Sequence, residues 1–237
     1  MKKIFTTMAF STLLLTSFIV FAQTKSREDL LKEISAKRAE LAKLEKTFLS
    51  ASDEDRAANA DFLRQPDTGL IRLLPRETYD NRTDGLSLRG GGAYYSFKTR
   101  TNEYINSTDI GLDQGILSSG FAGANYGMLA SLGDVPLDSV SWETPAVQIL
   151  GQHTPPEDEP HARIEQRRAS EGATIDGVSF RGRQPLRLNS SYVVRSVNYH
   201  ASDVLVAFRV VRIDNDDSAI ILYKILKKYP TPILARN

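Results

Sequence analysis

Asp109, Asp113 and Glu143 are carboxylates scattered through a Gly- and Tyr-rich middle third. Two facing carboxylates are all that glycoside hydrolysis requires of a protein, so a secreted, glycosidase-like hydrolase built on such a pair is one reading of the chain. Other catalytic arrangements find no support. There is no Gly-x-Ser-x-Gly elbow, and only three histidines are available as a base. His153 and His161 bracket Glu157, Asp158 and Glu159, but Pro155, Pro156 and Pro160 hold that segment extended and the spacing matches no zinc pattern, so no metal is expected there. Asp109–Asp113 and Asp214–Asp217 lack the alternating ligands, central Gly and distal Glu of a calcium loop and read as turn residues. Gly90-Gly91-Gly92 is followed by no Lys-Ser or Lys-Thr, and Tyr95 stands where a dinucleotide loop needs its third glycine. The triplet reads as a tight backbone turn, and no cofactor is expected.

Tyr94, Tyr95, Tyr126 and Trp142 make the competing case. With Tyr104 they fall in the same glycine-rich stretch, and aromatic faces stack on sugars or grip peptides because they offer large contact area with few rotors. These four are the candidate ligand-binding residues, for a glycan or peptide. On that basis the chain reads as a binding, envelope-associated or structural module rather than an enzyme.

Compartment narrows the chemistry further. Lys2 and Lys3, an apolar run from Ile4 to Phe21 broken only by Thr and Ser, and the small Ala22 form the three parts of a secretory leader over residues 1–22, with cleavage expected after Ala22. Export to the periplasm or beyond removes nucleotides from reach. With Lys2 and Lys3 gone, 28 basic residues face 29 acidic ones, a net charge of −1, which gives no concentrated basic surface for nucleic acid. The chain has no cysteine, hence no disulfide, thiolate nucleophile or lipid-modified cysteine. Asn81-Arg82-Thr83, Asn106-Ser107-Thr108 and Asn189-Ser190-Ser191 match a glycosylation triplet but read as turns in a bacterial chain.

The elements that must position these residues fall in two groups. Residues 23–65 read as a helical appendage. A helix from Ser26 to Ser50 opens on a capping-box-like Ser26/Asp29 pair. Leu30, Ile34, Leu41, Leu44 and Phe48 follow the four-and-three spacing of a coiled-coil seam, which also takes in Lys37 and Ala51. Ser52/Asp55 repeats the cap and opens a shorter helix ending before Gln65-Pro66. The appendage is therefore either a helical hairpin or a short coiled coil offered to a second copy or an envelope partner; lying on its own body is the plainer alternative.

Residues 66–237 read as a mainly β, antiparallel sandwich or barrel-like body. Leu70–Leu74, Leu86–Arg89 and Ala93–Phe97 are strand candidates, and Val147–Leu150 closes the first half. Ser191–Tyr199, Asp203–Ile213 and Ser218–Leu226 form an antiparallel meander. In its middle run Val204, Val206, Phe208 and Val210 line one face and Leu205, Ala207, Val211 and Ile213 the other. Both faces must then be covered, most simply by a second sheet drawn from residues before 190. Residues 151–172, with three prolines, clustered acids and then Arg163, Arg167 and Arg168, read as an exposed loop.

Overall fold

The computed structural model describes residues 25–79 and 85–235. The leader over 1–22 and the triplet at Asn81 lie outside the described residues. The chain divides into two compact units, one up to Leu41 and one from Ala42 onward.

Helix α1 (Arg27–Phe48) begins where Ser26 caps it: the Asp29 amide donates to Ser26 Oγ at 3.1 Å, and that hydroxyl also donates to the Asp29 carboxylate at 2.7 Å. Next come α2 (Asp53–Ala58), α3 (Ala60–Leu63), β1 (Thr68–Leu73), α4 (Arg76–Tyr79), β2 (Tyr94–Tyr95), β3 (Ile110–Asp113) and β4 (Ile116–Ser118). Beyond them lie β5 (Tyr126–Gly133), α5 (Pro145–Gln152), α6 (Glu159–Glu171), β6 (Ala173–Ile175), β7 (Val178–Phe180) and β8 (Arg183–Pro185). The meander of β9 (Ser191–Asn198), β10 (Ser202–Ile213) and β11 (Ala219–Lys228) follows.

The body is mainly antiparallel sheet. One sheet has five strands in the order β1-β11-β10-β9-β5, a second has four in the order β2-β3-β4-β8, and β6 pairs with β7. Alternation along the central strands decides what lies on each face. Val204, Val206 and Phe208 of β10, with Tyr192 and Val194 of β9, pack against Tyr95, Ile110, Leu112 and Leu117 of the smaller sheet. Leu205 and Ala207, with Val193 and Val197, face the opposite way and are covered by Phe62 of α3, Val147 and Leu150 of α5, and Ala162 and Ala169 of α6. The sandwich therefore has a helical layer on its outer side. A bulge between Val210 and Arg212 changes the phase of β10, so Ile213 joins the sheet-to-sheet core while Val211 stays with the helices.

Several sequence expectations need correction. Residues 151–172 are not a loop: α5 ends at Gln152 and α6 fills most of the remainder. Asp158 is its N-cap, accepting from the His161 amide at 3.0 Å, and Pro160 sits in the first turn, where a missing N–H costs nothing. Val147–Leu150 is helical for a similar reason, because Pro145 opens α5 after Thr144. Leu86–Arg89 forms no strand. It leads into Gly90, Gly91 and Gly92, all at positive φ, and a Cβ on Gly92 would come within 2.5 Å of Leu49 Cδ2.

The helical appendage read over 23–65 ends earlier. The Ser52/Asp55 capping box forms as expected, but Ala51 and Phe62 belong to the body's core, and Asp55 pairs with Arg212 on β10. Glu45, near the end of α1, is buried and accepts from Ser87 Oγ at 2.9 Å. Among the described residues no helix is long and apolar enough to cross a membrane.

Candidate functional site

A cleft of about 560 Å³ lies between the edge of the smaller sheet and α6, within the range of small-molecule sites. The β3–β4 hairpin supplies Leu112, Asp113 and Ser118. Its two-residue turn, Gln114-Gly115, has positive φ at both positions, and the Gln114 amide donates to Glu77 of α4 at 3.0 Å. That contact seats α4, whose Arg76 lies 3.8 Å from Asp113. The chain after β4 then passes directly over the start of β5. A Cβ on Gly120 would stand 2.7 Å from Tyr126 Cα and one on Gly127 only 1.9 Å from Ser119 Oγ, so both positions admit nothing larger than glycine.

The opposite wall is α6. Ala162 and Ala169 are buried against the sheet, which turns Arg163, Gln166, Arg167 and Ser170 toward the cleft at helical spacing. Arg163 Nη1 donates to Gly123 O at 2.6 Å and Gln166 Nε2 to the same oxygen at 2.9 Å, while Glu159 holds the other side of the Arg163 guanidinium at 2.9 Å. These two side chains pin the 121–125 loop to the helix. Arg183, entering on β8, completes the wall. Four arginines thus meet two carboxylates, Asp113 and Glu171. Arg167 and Arg183 have no carboxylate partner among the described residues.

The aromatic candidates separate. Tyr94 lines the cleft, with its ring centroid 5.2 Å from Phe121 and 4.8 Å from Tyr104. Tyr126 contributes to the floor, and its hydroxyl is hydrogen-bonded to His153 Nε2 at 2.7 Å. Burial pushes the Tyr126 phenol up and the His153 imidazole down from their ordinary ranges, so both stay neutral near pH 7. Tyr95, the next residue after Tyr94 on a strand, points to the other face: it is 4 % exposed in the core, its hydroxyl 3.3 Å from that of Tyr223. Trp142 is exposed beside Lys227 and Gly151, away from the cleft.

The acids separate as well. Asp113 lines the cleft, Glu143 does not, and Asp109 is sealed in the interior. Asp109 accepts from the Phe97 amide at 2.7 Å and from Asn198 Nδ2 at 3.0 Å, and burial pushes its carboxyl up to about 7. His153 and His161 are engaged separately, the latter with Asp158 at 2.8 Å. Among the described residues no group of three or more His, Cys, Asp or Glu side chains is placed to hold a metal ion.

A second depression, of about 740 Å³, has Arg195, Asp203, His153 and Tyr229 in its lining. Its guanidinium is fully committed: Arg195 donates to both Asp203 oxygens at 2.5 and 2.8 Å and to Leu150 O at 3.1 Å, and its Cζ lies 3.2 Å from the Tyr229 ring centroid. The arginine-lined cleft is therefore the better candidate, and its arginines were the residues sequence reasoning missed. Arg163 and Arg167 are an i, i+4 pair, a signal that appears only once residues 159–171 are recognised as a helix. Comparison of the chain with protein families, curated proteins and solved structures finds no match.

Proposed function

We propose that the protein is an exported, envelope-associated binding module that holds an anionic ligand in the cleft between the smaller sheet and α6. One observation carries this reading: Arg167 and Arg183 line an aromatic-walled cleft with no carboxylate partner among the described residues. Guanidinium groups recognise carboxylates through paired hydrogen bonds, and the Tyr94 and Phe121 rings offer apolar surface for the body of the ligand. A carboxylated saccharide meets both requirements. Export rests on the charged, apolar and small-residue pattern of residues 1–22.

Calorimetric titration with trigalacturonate, and with the neutral galactotriose as control, tests the proposal. Binding of the acidic trimer alone, lost in Arg167→Glu/Arg183→Glu, supports it; equal binding of both trimers, or of neither, overturns it. The hydrolase reading keeps one specific support, because Asp113 and Glu171 line the same cleft. Reducing-end release from a longer oligogalacturonate, abolished in Asp113→Asn, would favour that reading over simple retention.

A further inference from the structure

We infer that the anionic ligand is a chain of several carboxylated sugars, and that Arg89 and Lys98 form a second subsite for it beyond the aromatic end of the cleft; this rests on the binding function proposed above. Phe121 links the two places. It lines the cleft on one side and, with Tyr104 and Asn125, a pocket of about 110 Å³ on the other. Arg89, Ile105 and Asn106 line that pocket and also a depression of about 530 Å³, to which Lys98 contributes. The three hollows thus follow one another along the surface, each joined to the next by residues common to both.

Tyr94, Tyr104 and Phe121 meet at the first join, the ring centroid of Tyr104 lying 4.8 Å from that of Tyr94 and 6.1 Å from that of Phe121. All three are half-buried, so they offer apolar ring faces over which a sugar chain can lie. Local backbone geometry sets Arg89 against this ridge. The Tyr104 amide donates to Arg89 O at 2.9 Å, and Gly90, at positive φ, sits so close to the Tyr94 ring that a Cβ would come within 2.4 Å of it. The Arg89 guanidinium then stacks on Tyr104, its Cζ 4.9 Å from the ring centroid, which leaves its edge donors for a ligand. Lys98, exposed like Arg89, is held at the depression by donating to Ala201 O. Asn125 uses Oδ1 to accept from the Tyr199 amide at 2.9 Å, so its NH₂ is available to a ligand oxygen. No Asp or Glu occurs among the described residues lining the pocket or the depression, and a carboxylate entering there meets Arg89 and Lys98 without an opposing charge.

Calorimetric titration of trigalacturonate and hexagalacturonate into wild type and into Arg89→Ala/Lys98→Ala tests this. On wild type the hexamer should bind more than about tenfold tighter than the trimer, because one chain engaging two subsites makes the second contact intramolecular. A single site would gain only about fourfold, from the extra registers that a longer chain presents to it. Both substituted positions are exposed, so circular dichroism of the double variant should match wild type. In that variant the hexamer's advantage should drop below about tenfold, while trimer affinity stays within about twofold of wild type. A hexamer advantage of about tenfold or less on wild type, an advantage that survives Arg89→Ala/Lys98→Ala, or an equal loss of both ligands in the variant would overturn the second subsite and leave the cleft reading standing. Absence of trimer binding to wild type would instead refute the binding function itself, and this inference with it.

Discussion

Replacing Asp109 with Asn should change how stability depends on pH by an amount the structure sets. The carboxylate is fully buried. Loss of water on burial raises its pKa from 3.8 to about 7, against the opposing pull of Ser196, the Phe97 and Lys98 amides and Asn198. Its folded value therefore lies above its unfolded value. Between those two values the native state holds a proton that the unfolded chain has released, so this group's contribution is fully present near pH 4, falls as pH rises, and is lost above about 7. At about 1.4 kcal/mol per pH unit the span corresponds to about 4 kcal/mol. Asn cannot titrate. It also turns an NH₂ group toward one of the donors that Asp109 accepts, which costs about 1–3 kcal/mol at every pH and shifts the whole curve without tilting it. Urea unfolding of wild type and Asp109→Asn at intervals from pH 4 to pH 8 separates the two effects. The stability advantage of wild type over the variant should shrink by about 4 kcal/mol across that range. A difference that stays flat would refute the reasoning, because it would mean that the buried donors keep the carboxylate ionised throughout.

Arg195→Met leaves the Asp203 carboxylate buried without its bidentate partner, at 3 % exposure, and should cost about 3–5 kcal/mol in the same unfolding assay. Arg195→Met/Asp203→Leu should lose less than the single variant, since it removes the stranded charge as well. Ser52→Ala removes the hydroxyl that accepts from the Asp55 amide, while the residue 52 amide still donates to the Asp55 carboxylate, and should lower stability by about 1 kcal/mol, read as a shift in the urea midpoint with unchanged slope.

The meander was legible because its apolar alternation runs over many residues and fills both faces. The demand for two covering layers followed directly, and the smaller sheet and the helices meet it. Ile213 escaped because a bulge reverses the phase, and nothing in the residue types marks the extra residue. Prolines misled where they open helices. Pro145 and Pro160 sit in first turns, where the chain can dispense with an N–H, yet without a known helix start they read as breakers. That error carried Arg163 and Arg167 into a supposed loop and hid the cleft wall. Among the aromatic residues, Tyr94 and Tyr95 differ only in which face of a strand they occupy, and a two-residue strand is too short for alternation to reveal it. Tyr126 reaches the cleft because β5 begins at the point where the 118–121 backbone crosses it, a contact between residues that only glycine at 120 and 127 permits.

Placing the anion in the cleft is tested most directly by a charge-matched comparison. Trigalacturonate would be titrated into wild type, into Arg167→Glu/Arg183→Glu, and into Lys32→Glu/Lys43→Glu, which makes the same change in net charge on α1. Loss of two guanidinium contacts in the cleft should lower affinity at least about tenfold, at about 1.5–3 kcal/mol for each charged hydrogen bond, while the α1 pair stays within about twofold of wild type. Equal weakening in both variants would contradict a cleft site and reduce any binding to attraction by the protein's overall charge.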